Sequence, residues 1–223
     1  MKRTTETVAA DTAESLREEL ANSLTHGLGL LLSLAGFPVL LWLAVRHGNA
    51  WYIVSCSVYG ATLVLLYAVS TLYHSLRSPG VKRVFRIIDH SSIFLLIAGT
   101  YTPFTLVTLR GPWGWSLFGA IWGLSVLGIV LKTLAMHHMR IAGPILYLAM
   151  GWLAVLAIKP LILLLTWHTF LLLVAGGLAY SVGVIFFAWE KVPYNHAIWH
   201  VFVLAGSVCH YVAVVNAVLL PRH

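Results

Sequence analysis

Seven long apolar runs, separated by short polar connections, constrain the fold of this chain more than any other feature. They cover approximately residues 24–45, 51–74, 87–109, 113–131, 141–158, 161–188 and 196–219 of 223. Each run is close to the roughly 20 residues that a helix needs to cross the hydrocarbon core of a bilayer. Only 9% of the residues are charged, against roughly 25% in ordinary globular domains. The sequence therefore predicts an all-α integral membrane bundle of seven transmembrane helices.

The polar N-terminus is predicted to form a separate cytoplasmic segment, residues 1–21, before a transmembrane domain of residues 22–220. Candidate capping residues there, such as Ser15, are followed by leucines at every fourth position: Leu16, Leu20 and Leu24. This pattern is typical of an amphipathic helix that lies on a membrane surface.

The lysines and arginines indicate the orientation of the bundle. With seven spans and the N-terminus inside, ten of the fourteen fall on the inner side, so the positive-inside rule predicts a cytoplasmic N-terminus. The basic residues, Lys132 among them, are scattered singly and are interpreted as topology signals. Because they are not gathered on one face, the net charge of +7 does not indicate a nucleic-acid partner.

A few ionisable residues fall inside or at the ends of the predicted spans, where such residues are costly and usually functional. Asp89 and Glu190 are the only acidic residues after residue 20. On the predicted topology His74 ends the second span, Asp89 begins the third, and His196 and His200 open the seventh. All four are therefore predicted to meet at the cytoplasmic face.

The spacing of the histidines predicts a zinc site. His196 and His200 stand at positions i and i+4, so both imidazoles project from one helix face, as a tetrahedral zinc ion accepts. His74 is the best candidate for a third ligand, and Ser70 lies one turn away on the same stripe. Three histidines leave a fourth position for water, whose pKa falls to roughly 7 when it binds zinc. Asp89 could orient a ligand, hold that water or accept its proton as general base.

Other interpretations of these residues stay open. A pair of histidines on a helix can also anchor the helix end at the interface. Asp89 can act as the N-cap of the third helix, where its carboxylate would accept hydrogen bonds from unpaired backbone amides. Both roles of Asp89 can coexist.

The remaining histidines are weaker candidates as metal ligands. His210 lies ten residues beyond His200, about 15 Å along a helix, too far to share the metal, but it could line a cavity. His26, with Asn22 and Glu19, lies at the entrance of the first span, where capping is the default interpretation and a contribution to the metal site is the less favoured alternative. His137 and His138 lie in a basic loop and are predicted to face solvent or lipid headgroups.

The ordered motifs resemble those of a known family. Glu19-x-x-Asn22-x-x-Thr25-His26, Ser70-x-x-x-His74, Asp89 and His196-x-x-x-His200 are similar to the motif series of the bacterial haemolysin III family. That family is similar to the progestin and adiponectin receptor family and, more distantly, to alkaline ceramidases. The resemblance covers the chain from about residue 19 onward.

The resemblance also implies a location and roles for the site residues. It implies a multi-pass protein of the cell membrane, the inner membrane of a bacterium, with zinc near the cytoplasmic face. His74, His196 and His200 would be the metal ligands, and Asp89 and Ser70 would surround the water at the fourth position.

Several functions remain open on the sequence. The first is a zinc-dependent hydrolase of a lipid amide or ester, in which Asp89 acts as base and Ser70 donates a hydrogen bond to the developing oxyanion. The second is a non-enzymatic membrane-homeostasis or sensor protein in which zinc is structural. A pore-forming cytolysin fits less well, because a multi-span protein would not readily leave its own membrane. Membrane lipids are the expected partners in each case.

Overall fold

The computed structural model describes residues 5–134 and 139–219, with side chains in 15–46, 48–134 and 142–217. Within these ranges the chain is helical with short connections and contains no strand. Seven segments are long and apolar enough to cross a membrane: Ser15–Arg46, Ala50–Ser75, Pro79–Thr108, Pro112–Leu134, Ala142–Leu164, Trp167–Ala188 and Asn195–Ala217. The predicted all-α bundle of seven transmembrane helices is confirmed.

Eight α-helices in the described part of the chain build the seven spans. They are α1 (Thr5–His47), α2 (Ala50–Ser75), α3 (Pro79–Pro103), α4 (Pro112–Leu134), α5 (Met139–Gly151), α6 (Ile158–Leu164), α7 (Trp167–Ala188) and α8 (Asn195–Val214). A π-helical turn, Phe104–Thr108, extends α3, and another, Val215–Leu219, extends α8. A 3₁₀ segment, Trp152–Ala157, joins α5 to α6, so these three elements together form the fifth span.

The boundary between the fifth and sixth spans differs from the prediction. The apolar runs were divided at 158 and 161, around Pro160, but the helical break lies at Leu165 and Thr166. Pro160 falls in the first turn of α6, where a missing backbone N–H costs no helical hydrogen bond. The Thr166 side chain caps α7 by accepting from the Thr169 amide at 3.3 Å.

The third helix also begins earlier than its apolar run. It starts at Pro79, with Ser78 as its N-cap residue, rather than near residue 87. Proline is favoured at the first helical position, and the basic residues that follow it continue the helix before the apolar run. Asp89 therefore lies ten residues inside α3, and the interpretation of Asp89 as an N-cap is wrong.

The first helix is continuous from Thr5 into the first span. Leu16, Leu20 and Leu24 are all exposed on its surface. The placement of this segment on a membrane surface, and the cytoplasmic orientation of the N-terminus, stay predictions.

The bundle carries apolar side chains on its outside as well as inside. Leu134 and Leu163 are more than 80% exposed, as suits a surface that faces lipid. Polar groups bond inside the bundle instead: the Tyr67 hydroxyl on α2 donates to Ser207 Oγ on α8 at 2.9 Å. Tyr180 Oη on α7 lies 3.0 Å from the same oxygen. These bonds link three helices without exposing a polar group to hydrocarbon.

A close backbone contact between α4 and the π-helical turn after α3 gives a test of the packing. A Cβ atom on Gly114 would meet the carbonyl oxygens of Thr105 and Leu109, which cannot move aside as a side chain can. We expect Gly114→Ala to lower the free energy of unfolding by about 1–3 kcal/mol, the usual cost of overpacking. Thermal unfolding in detergent micelles measures this change.

The same helix offers a matched control. Gly119 has open space around its missing Cβ, so Gly119→Ala should leave stability unchanged or raise it by up to about 1 kcal/mol, as expected from helix propensity. Equal unfolding temperatures for the two variants would contradict this packing.

Candidate metal centre

The structure brings the three predicted metal-ligand histidines together. One ring nitrogen from each of His74, His196 and His200 lies within 4.8 Å of the other two. Their ring centroids are 4.6–5.1 Å apart. Among the described residues this is the group that could hold a metal ion. It joins the end of α2 to the start of α8.

The local structure of the α7–α8 connection aims the α8 pair at this point. Tyr194 adopts a left-handed backbone conformation, φ 56°, directly before the helix. Asn195 then donates from Nδ2 to the carbonyl oxygens of Phe186 and Phe187 at 3.3 Å, which ties the start of α8 to the end of α7. Because α8 begins there, its first and second turns carry His196 and His200 on one face.

A carboxylate on α1 orients His74. Nδ1 of His74 donates to Glu19 Oε2 at 2.8 Å, and Lys82 Nζ donates to the other carboxylate oxygen, also at 2.8 Å. Nε2 of His74 is buried without a hydrogen-bond partner. A histidine whose Nδ1–H is held by a carboxylate presents Nε2 as a lone-pair donor, which is the usual outer-shell arrangement of metal-bound histidines.

The backbone of α1 orients His200 in the same way. Nδ1 of His200 lies 3.1 Å from the carbonyl oxygen of Asn22 and 3.2 Å from Thr25 Oγ1. His200 is 2% exposed, so its other ring nitrogen faces the interior. Two of the three imidazoles thus have Nδ1 engaged by α1 and Nε2 left for a ligand. These residues fit a divalent ion that accepts nitrogen ligands, and three imidazoles suit zinc.

His26 belongs to the surroundings of the site, which the sequence offered only as the less favoured alternative to capping. Its ring stacks on His200 with centroids 3.4 Å apart and an interplanar angle of 15°. Both of its nitrogens are buried without a partner. The capping interpretation of His26, Asn22 and Glu19 is wrong, because α1 begins at Thr5 and these residues lie well inside the helix. Their spacing of three and four residues, which puts them on one helix face, is the signal that could have revealed their shared role.

Asp89 and Ser70 lie beside the histidines, in the wall of the same cavity. Both are buried, and the Ser70 hydroxyl is close enough to the Asp89 carboxylate to interact with it. Asp89 Oδ2 lies 3.5 Å from His90 Nδ1, a long contact, because that nitrogen already donates to the Arg86 carbonyl at 2.7 Å. Both side chains lie at the histidine end of this cavity, and their catalytic roles stay predictions.

His196 and His200 border a partly open cavity of about 220 Å³ that is lined mainly by apolar side chains. It extends from His196 and Asp89 to Leu109 and Leu117, near the opposite end of the bundle. His210 lines it as well, outside the three-histidine group, and its ring stacks on Tyr180 with centroids 5.4 Å apart. His137 and His138, which were predicted to face solvent or headgroups, lie outside the described residues.

The chain is similar to known proteins over nearly its whole length. The sequence profile of a family described as "Haemolysin-III related" matches residues 14–211. "Hemolysin-3" of Bacillus cereus is 52% identical over 204 residues, which are 92% of this chain and 93% of that protein. "Hemolysin-3 homolog" of Bacillus subtilis (strain 168) is 46% identical over 200 residues, 90% and 94% of the two chains. The human "Monocyte to macrophage differentiation factor" is 28% identical over 205 residues, 88% and 83% of the two chains.

Elemental analysis of the purified protein tests the metal centre directly. We expect about one metal ion per chain in the wild type and close to none in His200→Ala, because removal of one of three ligands leaves too few to hold the ion. His168→Ala is the control, since His168 is exposed near the start of α7 and outside the three-histidine group. Equal metal content in all three proteins would contradict the site.

The role of Glu19 gives a second prediction. Loss of an outer-shell partner of a metal-bound histidine typically weakens metal affinity by about 10–100-fold, so we expect this loss in Glu19→Leu. Glu19→Gln keeps an acceptor for His74 Nδ1 and should lose less. Competition with a chelator of known affinity measures both. Glu18→Gln is the matched control, because the Glu18 carboxylate accepts from the Tyr194 amide instead.

Proposed function

This chain belongs to the haemolysin III family of integral membrane proteins, and we propose that it binds zinc and hydrolyses an amide or ester bond of a membrane lipid. The observation that carries the proposal is the three-histidine group, of which His196 and His200 line an apolar cavity together with Asp89 and Ser70. Those residue types are what metal-assisted hydrolysis of an acyl group requires.

His74, His196 and His200 would hold the zinc ion. Zinc supplies, when bound, a Lewis acid that polarises a carbonyl group and activates water. Three protein ligands, rather than four, are typical of catalytic zinc sites, in which one position stays open for water or substrate. A structural zinc site would need a fourth protein ligand. Among the described residues the group that could hold a metal has three members, and the nearby carboxylate of Asp89 on α3 lines the cavity.

Asp89 is the group in place to move protons. Its carboxylate accepts a proton from the attacking water as general base and then donates it to the nitrogen or oxygen of the leaving group. The water oxygen forms the new bond to the acyl carbon as the bond to the leaving group breaks. Ser70, which lines the cavity together with Asp89, donates a hydrogen bond to the carbonyl oxygen as negative charge develops there.

The cavity supports a lipid as the substrate. Apart from the polar residues at the histidine end and His210, its walls are mainly apolar, with Leu66, Ile93, Phe104 and Val203 among them. An acyl chain that lies along such walls keeps its methylene groups away from water, whereas a polar soluble substrate would lose hydration without compensation. The bundle is also surrounded by acyl chains when it spans a membrane.

One observation supports a second candidate function. Glu19 bonds to His74, and Asn22 and Thr25 contact His200, so α1 is connected to both helices of the metal centre. An ion there would clamp α1, α2 and α8 together. In this alternative zinc is structural, and the protein senses or maintains the state of the membrane without catalysis.

Replacement of Asp89 separates the two candidates. Loss of a general base typically lowers a rate by about 10²–10⁴-fold, so we expect this fall in the hydrolysis of long-chain N-acyl amides or acyl esters by Asp89→Asn in detergent micelles. Zinc content should be unchanged, because Asp89 is outside the ligand group. Release of the acyl product, measured by mass spectrometry, gives the rate.

Two controls accompany this measurement. His168→Ala should hydrolyse the substrate at the wild-type rate, and chelation followed by addition of zinc should remove and restore activity. Full activity in Asp89→Asn would refute the proposed base. A wild type that carries one zinc ion and hydrolyses none of these lipids would favour the structural role.

A further inference from the structure

Lys132 is a buried cation that the proposed chemistry does not use. It lies in the last turn of α4, and only 4% of it is exposed. Lysines at the ends of transmembrane helices ordinarily extend along the helix to place the ammonium group in water. The side chain of Lys132 lines the cavity instead, at the end that also holds Asp89 and His196.

The wall around Lys132 is formed by α3 and α5. A Cβ atom on Gly143 would lie 3.9 Å from Lys132 Nζ and 3.8 Å from the Tyr147 hydroxyl oxygen, so both polar groups border one small region. The Tyr147 hydroxyl donates to the His90 carbonyl at 2.9 Å, which holds α5 against α3. Lys132 is therefore positioned by packed helices rather than by an exposed loop.

No described carboxylate binds the Lys132 ammonium group directly. Asp89 is near enough to attract it, and Arg86 to repel it. In the part of the chain that the structure describes, however, Lys132 makes no ion pair within 4.0 Å and no hydrogen bond. An ammonium group that borders a mainly apolar cavity, with no carboxylate in contact, is less well solvated than one in water. An anion from a ligand in the cavity would compensate for this loss.

We propose that Lys132 is the anion-binding residue of the cavity and that it holds the carboxylate of a long-chain acyl ligand beside the three histidines. The acyl chain occupies the apolar part of the cavity, and the carboxylate lies at the polar end. A carboxylate fits better than a phosphate monoester, because Asp89 shares this end and would repel a second negative charge on the ligand.

The choice of an acyl carboxylate rests on the proposed function. Hydrolysis of a lipid amide or ester adds the elements of water across the bond and leaves a carboxylate on the acyl chain. Lys132 is then a specificity-determining residue that retains the acyl product through its carboxylate. It acts by binding, and no covalent step involves its amine.

A binding measurement with three ligands of the same chain length tests this proposal. The probes are a long-chain fatty acid, the primary alcohol and the phosphate monoester of the same chain, added above neutral pH to the full-length protein in detergent. A hydrogen bond to a charged group corresponds to an affinity difference of about 10–100-fold. We expect the wild type to bind the fatty acid more tightly than the alcohol by this factor.

Variants of Lys132 test whether this residue causes the preference for the fatty acid over the alcohol. Lys132→Gln should bind the fatty acid and the alcohol about equally, with its affinity for the alcohol unchanged. Lys132→Arg keeps the charge and should retain most of the preference. Lys159→Gln is the matched control, since Lys159 is an exposed lysine in the first turn of α6 and does not line the cavity; it should behave as the wild type.

The contrary outcomes do not depend on whether a variant folds. A wild type that binds fatty acid and alcohol equally overturns the proposal without any variant, and so does an unchanged preference in Lys132→Gln. Tighter binding of the phosphate monoester overturns the choice of a carboxylate. Zinc content and hydrolysis are measured on the same samples: their absence, with the preference intact, rejects the proposed hydrolase and leaves the anion site standing.

Discussion

The hydrogen bond between Glu19 and His74 connects the first helix to the three-histidine group and sets the orientation of His74 within it. It fixes which imidazole nitrogen is free, and it joins two helices at the same end of the bundle. Lys82 on α3 binds the other oxygen of Glu19, so one carboxylate links three helices. In a medium with little water, such a bonded arrangement is far less costly than isolated polar groups would be. The contacts that orient these histidines thus also help to hold the bundle together.

A second contact between α1 and the three-histidine group is made by the backbone of α1. His200 reaches the carbonyl of Asn22 because α8 begins directly after a left-handed residue, with its first turns against α1. An ion bound by α2 and α8 would therefore be supported by α1 on both sides. Stability and metal binding share the same contacts, which is why both a catalytic and a structural role for zinc are consistent with this architecture. The cavity that the histidines border, with Asp89 in its wall, is what favours catalysis.

The polar residues at the histidine end of the bundle line the same cavity. Ser70, Asp89, Lys132 and the two histidines of α8 come from four different helices, and they border one space whose remaining walls are mainly apolar. Such a space suits a molecule with a polar group at one end and a long apolar chain. A membrane protein is in contact with a high concentration of such molecules, so the chemistry of the site and its location point to the same class of ligand.

Most of the fold and the main candidate ligands could be predicted from the sequence, because both depend on local patterns. Runs of apolar residues report membrane spans by length alone, and His196 with His200 share a helix face by spacing alone. Boundaries were less predictable. Pro160 and the basic turns before Asp89 were interpreted as connections, although proline and charged residues are tolerated in the first turns of a helix. For that reason Asp89 was placed at a helix start when it lies well inside α3.

By itself, then, the sequence determined the number of spans, the all-α class and the end of the bundle at which the ionisable residues gather. Only the tertiary structure decided what those residues touch: that His26 stacks on His200, that Glu19 binds His74, and that Lys132 faces a cavity rather than water. The physical reason is that helix rotation and the pairing of helices depend on side-chain packing between segments distant in the chain. The hydropathy and residue spacing of one segment do not determine how it packs against another.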